Sequence, residues 1–301
     1  MPPMKVFRPV ANDDVTVDVV LPTPGQRPSL GCAIESVLNQ THDSLRLHVV
    51  GDGCGPETEA AVAAFGDPRV RFHAFPKGRG FGYANRNVVL RGLAGPYVAY
   101  MTDDDLLLSD HLEIAIRELG ASGADLVALR PCAVHYPDTL DPHFFAFTWQ
   151  HFPGARILRR WFMGSINCVH RLDLFRRVGY WNGALSRFGD REFYNRARRG
   201  ARTRYVDRVT ILRFYALHWD GRYAALDRPP QARYLERVGD PAWIDALRRA
   251  AEQRPGWSSR RRQLGDFLRF GLASGPRFAR FWLEQLASRR RLAPSLPDAA
   301  P

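Results

Sequence analysis

Three consecutive carboxylates, Asp103, Asp104 and Asp105, stand directly after the apolar run 97–101. At the end of a buried strand they repel one another, so folding tolerates them best where a cation or a set of donors compensates their charge. Mg2+ or Mn2+ is the natural partner, because these ions take oxygen ligands, use one or two carboxylates and complete their shell with phosphate and water. The alternative is a solvated loop in which one aspartate caps the next helix, but Ser109 is the better cap for a helix over 110–119, which leaves the triplet for metal. Asp52, in Val49-Val50-Gly51-Asp52-Gly53, is either an acceptor for a base or ribose or a plain turn aspartate. The run Gly78-Arg79-Gly80-Phe81-Gly82 has the composition of a phosphate cradle without the spacing of one. Lys77, Arg79 and Arg86 around it could reach phosphates, guanidinium forks being suited to bidentate binding, although Arg79 reads more simply as solvated surface. Asp190 and Glu192 open a helical pattern that runs through Ala197; either is a candidate general base, and capping of the helix dipole is the structural alternative. His218, between Leu217 and Trp219, is a candidate further metal ligand or a packed histidine.

These side chains lie far apart along the chain, so elements must gather them. Short apolar runs alternate with helical patterns through the first third, which is the signature of βαβ units and a mainly parallel sheet. Residues 15–21 predict a strand ended by Pro22, and Leu30, Ala33, Ile34, Val37 and Leu38 repeat at helical spacing behind Pro28 and Ser29. Strands are expected at 45–50, 70–75 and 97–101, and helices at 57–65 and 83–92. In open parallel sheets ligands bind beyond the carboxyl ends of the strands, so loops 22–27, 51–55 and 102–105 should line one crevice. After 125–130 the pattern loosens into an aromatic stretch at 144–161 and a mixed segment to 212. Beyond Asp227 the chain is helical and arginine-rich, punctuated by Pro241, Pro255 and Pro276, with a disordered tail expected from Pro294.

With 301 residues, 45% of them hydrophobic, the chain can bury a sizeable core, and disorder is not the default. Four widely spaced cysteines with no CxxC pair fit a reducing compartment. No run reaches the ~18 apolar residues that span a bilayer. The formal charge of +12 would suit nucleic acid, but of the 43 basic residues only Lys5 and Lys77 are lysines, a bias that a skewed codon usage also produces. No nucleic-acid partner is expected; a phosphorylated donor or an anionic lipid would use the same charge.

Over roughly 15–215 the chain resembles the family-2 glycosyltransferases, with the motifs in the family's order. Leu21-Pro22-Thr23 through Arg27-Pro28, followed by Ala33 to Thr41, looks like the opening strand, donor loop and first helix. Val50-Gly51-Asp52-Gly53 is similar to the nucleotide-contacting loop, Asn85-Arg86-Asn87 to the ARN element, and Asp103-Asp104-Asp105 to the DxD metal site. The resemblance implies an α/β fold of GT-A type, a Rossmann-like, mainly parallel mixed sheet flanked by helices with a helical C-terminal extension. It implies a catalytic domain over 1–226, its nucleotide-sugar half at 13–120 and its acceptor half at 121–226, and an extension with a disordered tail over 227–301. The implied reaction moves a sugar from a UDP- or other NDP-sugar to an acceptor hydroxyl with inversion, in polysaccharide or glycolipid synthesis. Pro22, Thr23, Arg27, Asp52, Arg86, Asp103 and Asp104 would bind the donor, Asp103 and Asp105 a divalent cation (Mn2+ or Mg2+), and Asp190 would match the base, with Glu192 as its rival. The acceptor would be a glycan or a lipid-linked molecule, and the location cytoplasmic or peripheral at the inner face of the membrane. A sugar nucleotidyltransferase shares the layout but carries a glycine-rich signature with arginine and lysine after the first strand, where this chain has Pro22-Thr23-Pro24-Gly25-Gln26-Arg27. A non-catalytic membrane-surface or scaffold role is suggested by Phe267, Phe270, Phe278, Phe281 and Trp282 interleaved with Arg269, Arg277 and Arg280, a pattern of interfacial helices or of a helix packed on the domain.

Overall fold

The computed structural model describes residues 15–25, 27–135, 139–142, 164–215 and 228–253. The strands among them are β1 (Val17–Thr23), β2 (Leu45–Asp52), β3 (Val70–Phe75), β4 (Tyr97–Tyr100), β5 (Leu106–Leu107), β6 (Leu126–His135), β7 (Thr139–Asp141), β8 (Cys168–Arg171) and β9 (Thr203–Tyr215). They form one mixed sheet in the order β3-β2-β1-β4-β8-β6-β9-β5, with β7 on β6. The pairs β3·β2, β2·β1, β1·β4 and β6·β9 are parallel, whereas β8 runs antiparallel between β4 and β6 and β5 antiparallel to β9.

Central parallel strands are buried on both faces and read as continuous apolar runs. In β1, Val19 and Val20 are both fully buried, and they point to opposite faces because side chains alternate along a strand. Val17, Val19 and Leu21 pack with α1 (Leu30–Leu38), α2 (Pro56–Ala63) and α4 (His111–Ser122). Val20, Val50, Val98 and Tyr100 pack on the other face with α3 (Tyr83–Arg91), α5 (Leu174–Val178) and α6 (Gly189–Ala197). A third cluster joins Leu106, Leu108, Val134, Leu212 and Phe214 to Tyr234, Val238 and to Ile244, Leu247 and Ala251 of α7 (Pro241–Glu252). Residues 228–253, read from sequence as the start of an extension, thus share a core with β5, β6 and β9. The boundary at 226/227, the aromatic stretch 144–161 and the interfacial pattern at 267–282 lie outside the described residues.

Three local expectations need correction. β1 runs through Pro22 to Thr23 instead of ending before it. Its pairing with β4 stops at Val20↔Tyr100, so the missing N–H of Pro22 breaks no bond on that side. The residue ahead of α4 is Asp110 rather than Ser109, and no side-chain cap bond forms there. The Asp110 carboxylate instead takes both terminal nitrogens of Arg248 at 2.7 Å. Finally, β6 passes through Pro131, which sits at a register shift against β9 where a ladder donor is not needed.

Candidate active site

The strand order places the carboxyl ends of β1, β2 and β4 side by side. Thr23, Asp52 and the aspartate run therefore meet at one edge of the sheet. Asp103 is buried, yet Thr23 Oγ1 donates to its Oδ2 at 2.9 Å and Arg27 Nε lies 3.2 Å from the same oxygen. Ser29, one residue ahead of α1, spends its hydroxyl on the Asp103 carbonyl at 2.7 Å instead of capping the helix. Asp104 is less buried; Arg27 Nη1 stands 3.7 Å from its Oδ2, and its carbonyl accepts from Gln231 Nε2 at 2.6 Å. Burial, and then the neighbouring charge of Asp104, push the Asp103 carboxyl up to about 7.

Asp105 does something different. Its Oδ2 accepts from Thr102 Oγ1 at 2.7 Å and its Oδ1 from the Phe214 backbone N–H at 2.8 Å. It is 3% exposed, and burial followed by the charge of Asp104 raises it too to about 7. Each oxygen thus accepts one hydrogen bond, from β9 or from its own loop, which fixes the orientation of the Asp105 carboxylate and leaves each oxygen a further lone pair. Among the described residues no three His, Cys, Asp or Glu side chains converge on a metal-sized site. Two carboxylates of the run 103–105 fit the other arrangement open to Mg2+ or Mn2+, in which one or two carboxylates hold an ion that the ligand's phosphates complete. His218 lies outside the described residues.

Asp52 reaches the same edge, but its carboxylate is turned onto the following loop. Oδ1 accepts from the Gly78 N–H at 2.7 Å and from Asn85 Nδ2 at 2.8 Å, and Oδ2 pairs with Lys77. The Gly78 N–H is thereby spent inside the protein, so the glycine run is pinned to Asp52 rather than arranged as a phosphate cradle. Pro22 is half-buried within β1 opposite Val50. Arg86 is buried, with its guanidinium 4.9 Å from the Tyr83 ring centroid and 5.4 Å from that of Trp181, and its Nη2 donates to the Phe81 carbonyl at 2.8 Å. Burial lowers the proton affinity of Arg86, while Tyr83, Asp190, Tyr100 and Asp52 favour its charge. Asn87 clamps Trp181 through both its amide atoms, at 2.7 Å and 3.1 Å to the backbone.

On the sheet face opposite α1, α6 begins behind Phe188, which sits at φ 58. Its second residue, Asp190, is half-buried, with Oδ1 accepting from the Arg191 N–H at 2.9 Å. A Cβ on Gly164 would stand 3.6 Å from Asp190 Oδ2 and 3.4 Å from Arg213 Nη1, so these groups line one small space. Arg213 also lowers the proton affinity of Asp105, linking the two acidic centres through β9. Glu192, two residues on, is held in a two-point pair with Arg196 at 2.9 Å each. Ser29, Arg213 and Gln231 were missed in the sequence because nothing near them signals a partner so distant, whereas Thr102, three residues from Asp105, lay within reach of a local reading.

The chain matches the glycosyl transferase family 2 model over residues 18–183. It belongs to glycosyl transferase family 2. Among curated family relatives, the UDP-Glc:alpha-D-GlcNAc-diphosphoundecaprenol beta-1,3-glucosyltransferase WfgD of Escherichia coli is 29% identical over 104 residues, 35% of this chain and 41% of WfgD. The chain therefore spans about two fifths of that relative's length. Among solved structures, S. aureus TarS 1-349 in complex with UDP-GlcNAc superposes with a TM-score of 0.56 at 17% identity, covering 67% of this chain and 59% of TarS. The mannosyltransferase PcManGT of Pyrobaculum calidifontis, in complex with GDP-Man and Mn2+, gives 0.51 at 17% identity over 85% of this chain and 80% of its own. The family-2 chain has the GT-A fold. Its family decides against a sugar nucleotidyltransferase. No helix among the described residues is long and apolar enough to cross a membrane.

Proposed function

We propose that the protein transfers a sugar from a nucleotide-diphosphate sugar to an acceptor hydroxyl, with inversion and with the help of a divalent cation. The observation that carries this reading is the meeting of Thr23, Arg27 and the Asp103–Asp104 pair at one strand edge, with the Asp190 carboxylate linked to the aspartate run through Arg213. Asp103 and Asp105 would hold the cation, with Asp104 touching it or the donor, and the ion when bound would neutralise charge on the leaving diphosphate. Arg27, already beside Asp103 and Asp104, is placed to take a phosphate oxygen once a cation replaces it as their counter-charge. Thr23 fixes the Asp103 carboxylate, and the Asp52–Lys77–Asn85 contacts hold the wall of the nucleotide pocket. Asp190 takes the proton of the attacking hydroxyl, and a single in-line displacement with a base on the acceptor side inverts the anomeric centre.

UDP-GlcNAc on TarS and GDP-Man with Mn2+ on PcManGT support an NDP-sugar donor and a metal. The lipid diphosphate acceptor named for WfgD supports a lipid-linked acceptor in glycolipid or polysaccharide synthesis, and with it a peripheral site at the cytoplasmic face of the membrane. A thermal-shift panel of UDP-glucose, UDP-GlcNAc and GDP-mannose, each with and without Mn2+, tests the core of this reading. A binder at a hundred times its Kd stabilises by about 2.7 kcal/mol, which such a scan resolves. Metal-dependent stabilisation by at least one donor is expected; none with any of them points to a non-catalytic relative.

A further inference from the structure

Phe81 stands between two glycines, and each of them is needed where it is. Gly80 and Gly82 have φ of +61 and +67, and a Cβ on Gly80 would come within 2.4 Å of the Ser186 carbonyl oxygen. A Cβ on Gly82 would meet the Asp52 carboxylate at 2.6 Å. The loop is thus pressed between the nucleotide half, at Asp52, and the segment leading to α6, at Ser186. Its backbone is anchored further by the Gly78 N–H on Asp52 and by Arg86 on the Phe81 carbonyl. From this pinned backbone the Phe81 ring is presented 53% exposed, and among the described residues only Val88 is a comparably exposed large hydrophobic side chain. A single exposed apolar residue is ordinary on a loose surface. An aromatic ring held out by two left-handed glycines, which no other residue could replace without strain, and by two anchors is not explained that way.

The surroundings indicate what the ring meets. The exposed Arg187 guanidinium lies 6.0 Å from the Phe81 centroid, and Tyr83 backs the ring at 6.4 Å. The Tyr83 ring packs against Gly189, and Asp190 is the next residue. An apolar face flanked by a planar donor, beside a carboxylate that can take a hydroxyl proton, matches a pyranose ring, which has one C–H-rich face and a rim of hydroxyls.

We propose that Phe81 is the platform on which the acceptor's sugar ring stacks, with Arg187 donating to its rim hydroxyls and so orienting the attacking hydroxyl toward Asp190. This rests on the reading of Asp190 as the base. It makes Phe81 and Arg187 determinants of acceptor specificity rather than of donor binding.

The test compares wild type, Phe81→Ala and Phe81→Tyr in NDP release from UDP-glucose, UDP-GlcNAc and GDP-mannose with Mn2+. Acceptors are water alone, then a panel of methyl α- and β-glycosides of glucose, galactose, mannose and N-acetylglucosamine. The expected result is an acceptor KM about tenfold higher in Phe81→Ala, restored in Phe81→Tyr, with the donor KM and the melting temperature of the three proteins alike; tenfold matches the scale of an aromatic stacking contact. The inference is overturned by an unchanged acceptor KM in Phe81→Ala, by a parallel rise in donor KM, or by no glycoside accelerating the wild type above water. NDP release to water separates the two claims, because wild-type release from no donor would sink the transferase reading and this inference together.

Discussion

At the scale of single residues, Asp190 and Glu192, the two candidates for the proposed base, differ in what each already holds. Arg196 pairs with Glu192 through two nitrogens and also donates to the carbonyls of Val178, Gly179 and Tyr180. Glu192 therefore orients an arginine that ties α6 to the turn after α5, and taking a proton would weaken that tie. Asp190 keeps Oδ2 directed at the space beside Gly164 and Arg213. Asp190→Asn is expected to lower kcat by about a thousandfold, within the usual range for a lost general base, with donor affinity unchanged in calorimetry. Glu192→Gln should instead lower the melting temperature and leave kcat within about threefold of wild type. The opposite pattern would move the base to Glu192. The chemistry of these residues was legible because acids cluster locally in the sequence, at 103–105 and at 190–192. Their partners were not, since Thr23, the Phe214 N–H and Gln231 reach the acidic run from 80, 109 and 127 residues away. That is why the triplet suggested Asp105 as a ligand but gave no sign of the Phe214 N–H that orients it.

At the scale of elements, the early βα units could be read closely from sequence because β1 and β2 are buried along almost their whole length and α1 carries a clear apolar stripe, and even the half-exposed β3 keeps its apolar run. β3 and α3 fall within a residue of their expected limits. Where reading failed, a contact from another element had displaced a local rule: Ser29 and Asp110 look like cap residues, yet serve Asp103 and Arg248. The Arg248–Asp110 pair is the polar fastening of α7 to α4, with Arg248 also donating to the Val209 carbonyl at 3.0 Å. The two side chains are 10% and 21% exposed. Arg248→Ala should therefore destabilise by about 2–3 kcal/mol, somewhat less than a fully buried pair, and Arg248→Lys should recover only part of this because one ammonium cannot span both oxygens. Urea denaturation of both variants checks the order; equal stability of wild type and Arg248→Ala would show that α7 is held by its apolar face alone. Gly80→Ala is the corresponding test of the loop between Asp52 and Ser186. It places a methyl at positive φ against a backbone carbonyl, so a loss of about 1–2 kcal/mol is expected, with the acceptor KM raised and the donor KM affected less.

At the scale of the whole molecule, two sets of buried groups pull the pH dependence of stability in opposite directions. Burial holds His111 and His170 neutral, with each proton affinity lowered to about 4. Their unfolded value is near 6.5, so the unfolded chain takes protons first. The stability they contribute is present above about 6.5 and is lost as pH falls toward 4, by about 1.4 kcal/mol per pH unit per proton. Asp103 and Asp105 are raised to about 7, so their contribution is complete below the ordinary carboxylate range and is lost as pH rises through 7. Over the shared window the two pairs oppose one another, so the ligand-free protein should show a shallower stability profile than either pair alone would give. Single substitutions expose the balance. His111→Gln can keep the bond to Thr210 Oγ1, 2.9 Å away in the wild type, while removing the titrating ring. Relative to wild type it should gain about 2 kcal/mol between pH 7 and pH 5. Asp105→Asn should move the other way, gaining relative to wild type as pH rises from 5 to 7. Urea titrations at pH 5, 6 and 7 on the three proteins decide it: parallel profiles would mean that these groups titrate in the folded state as they do in the unfolded chain, and that the acidic run is better solvated than its burial implies.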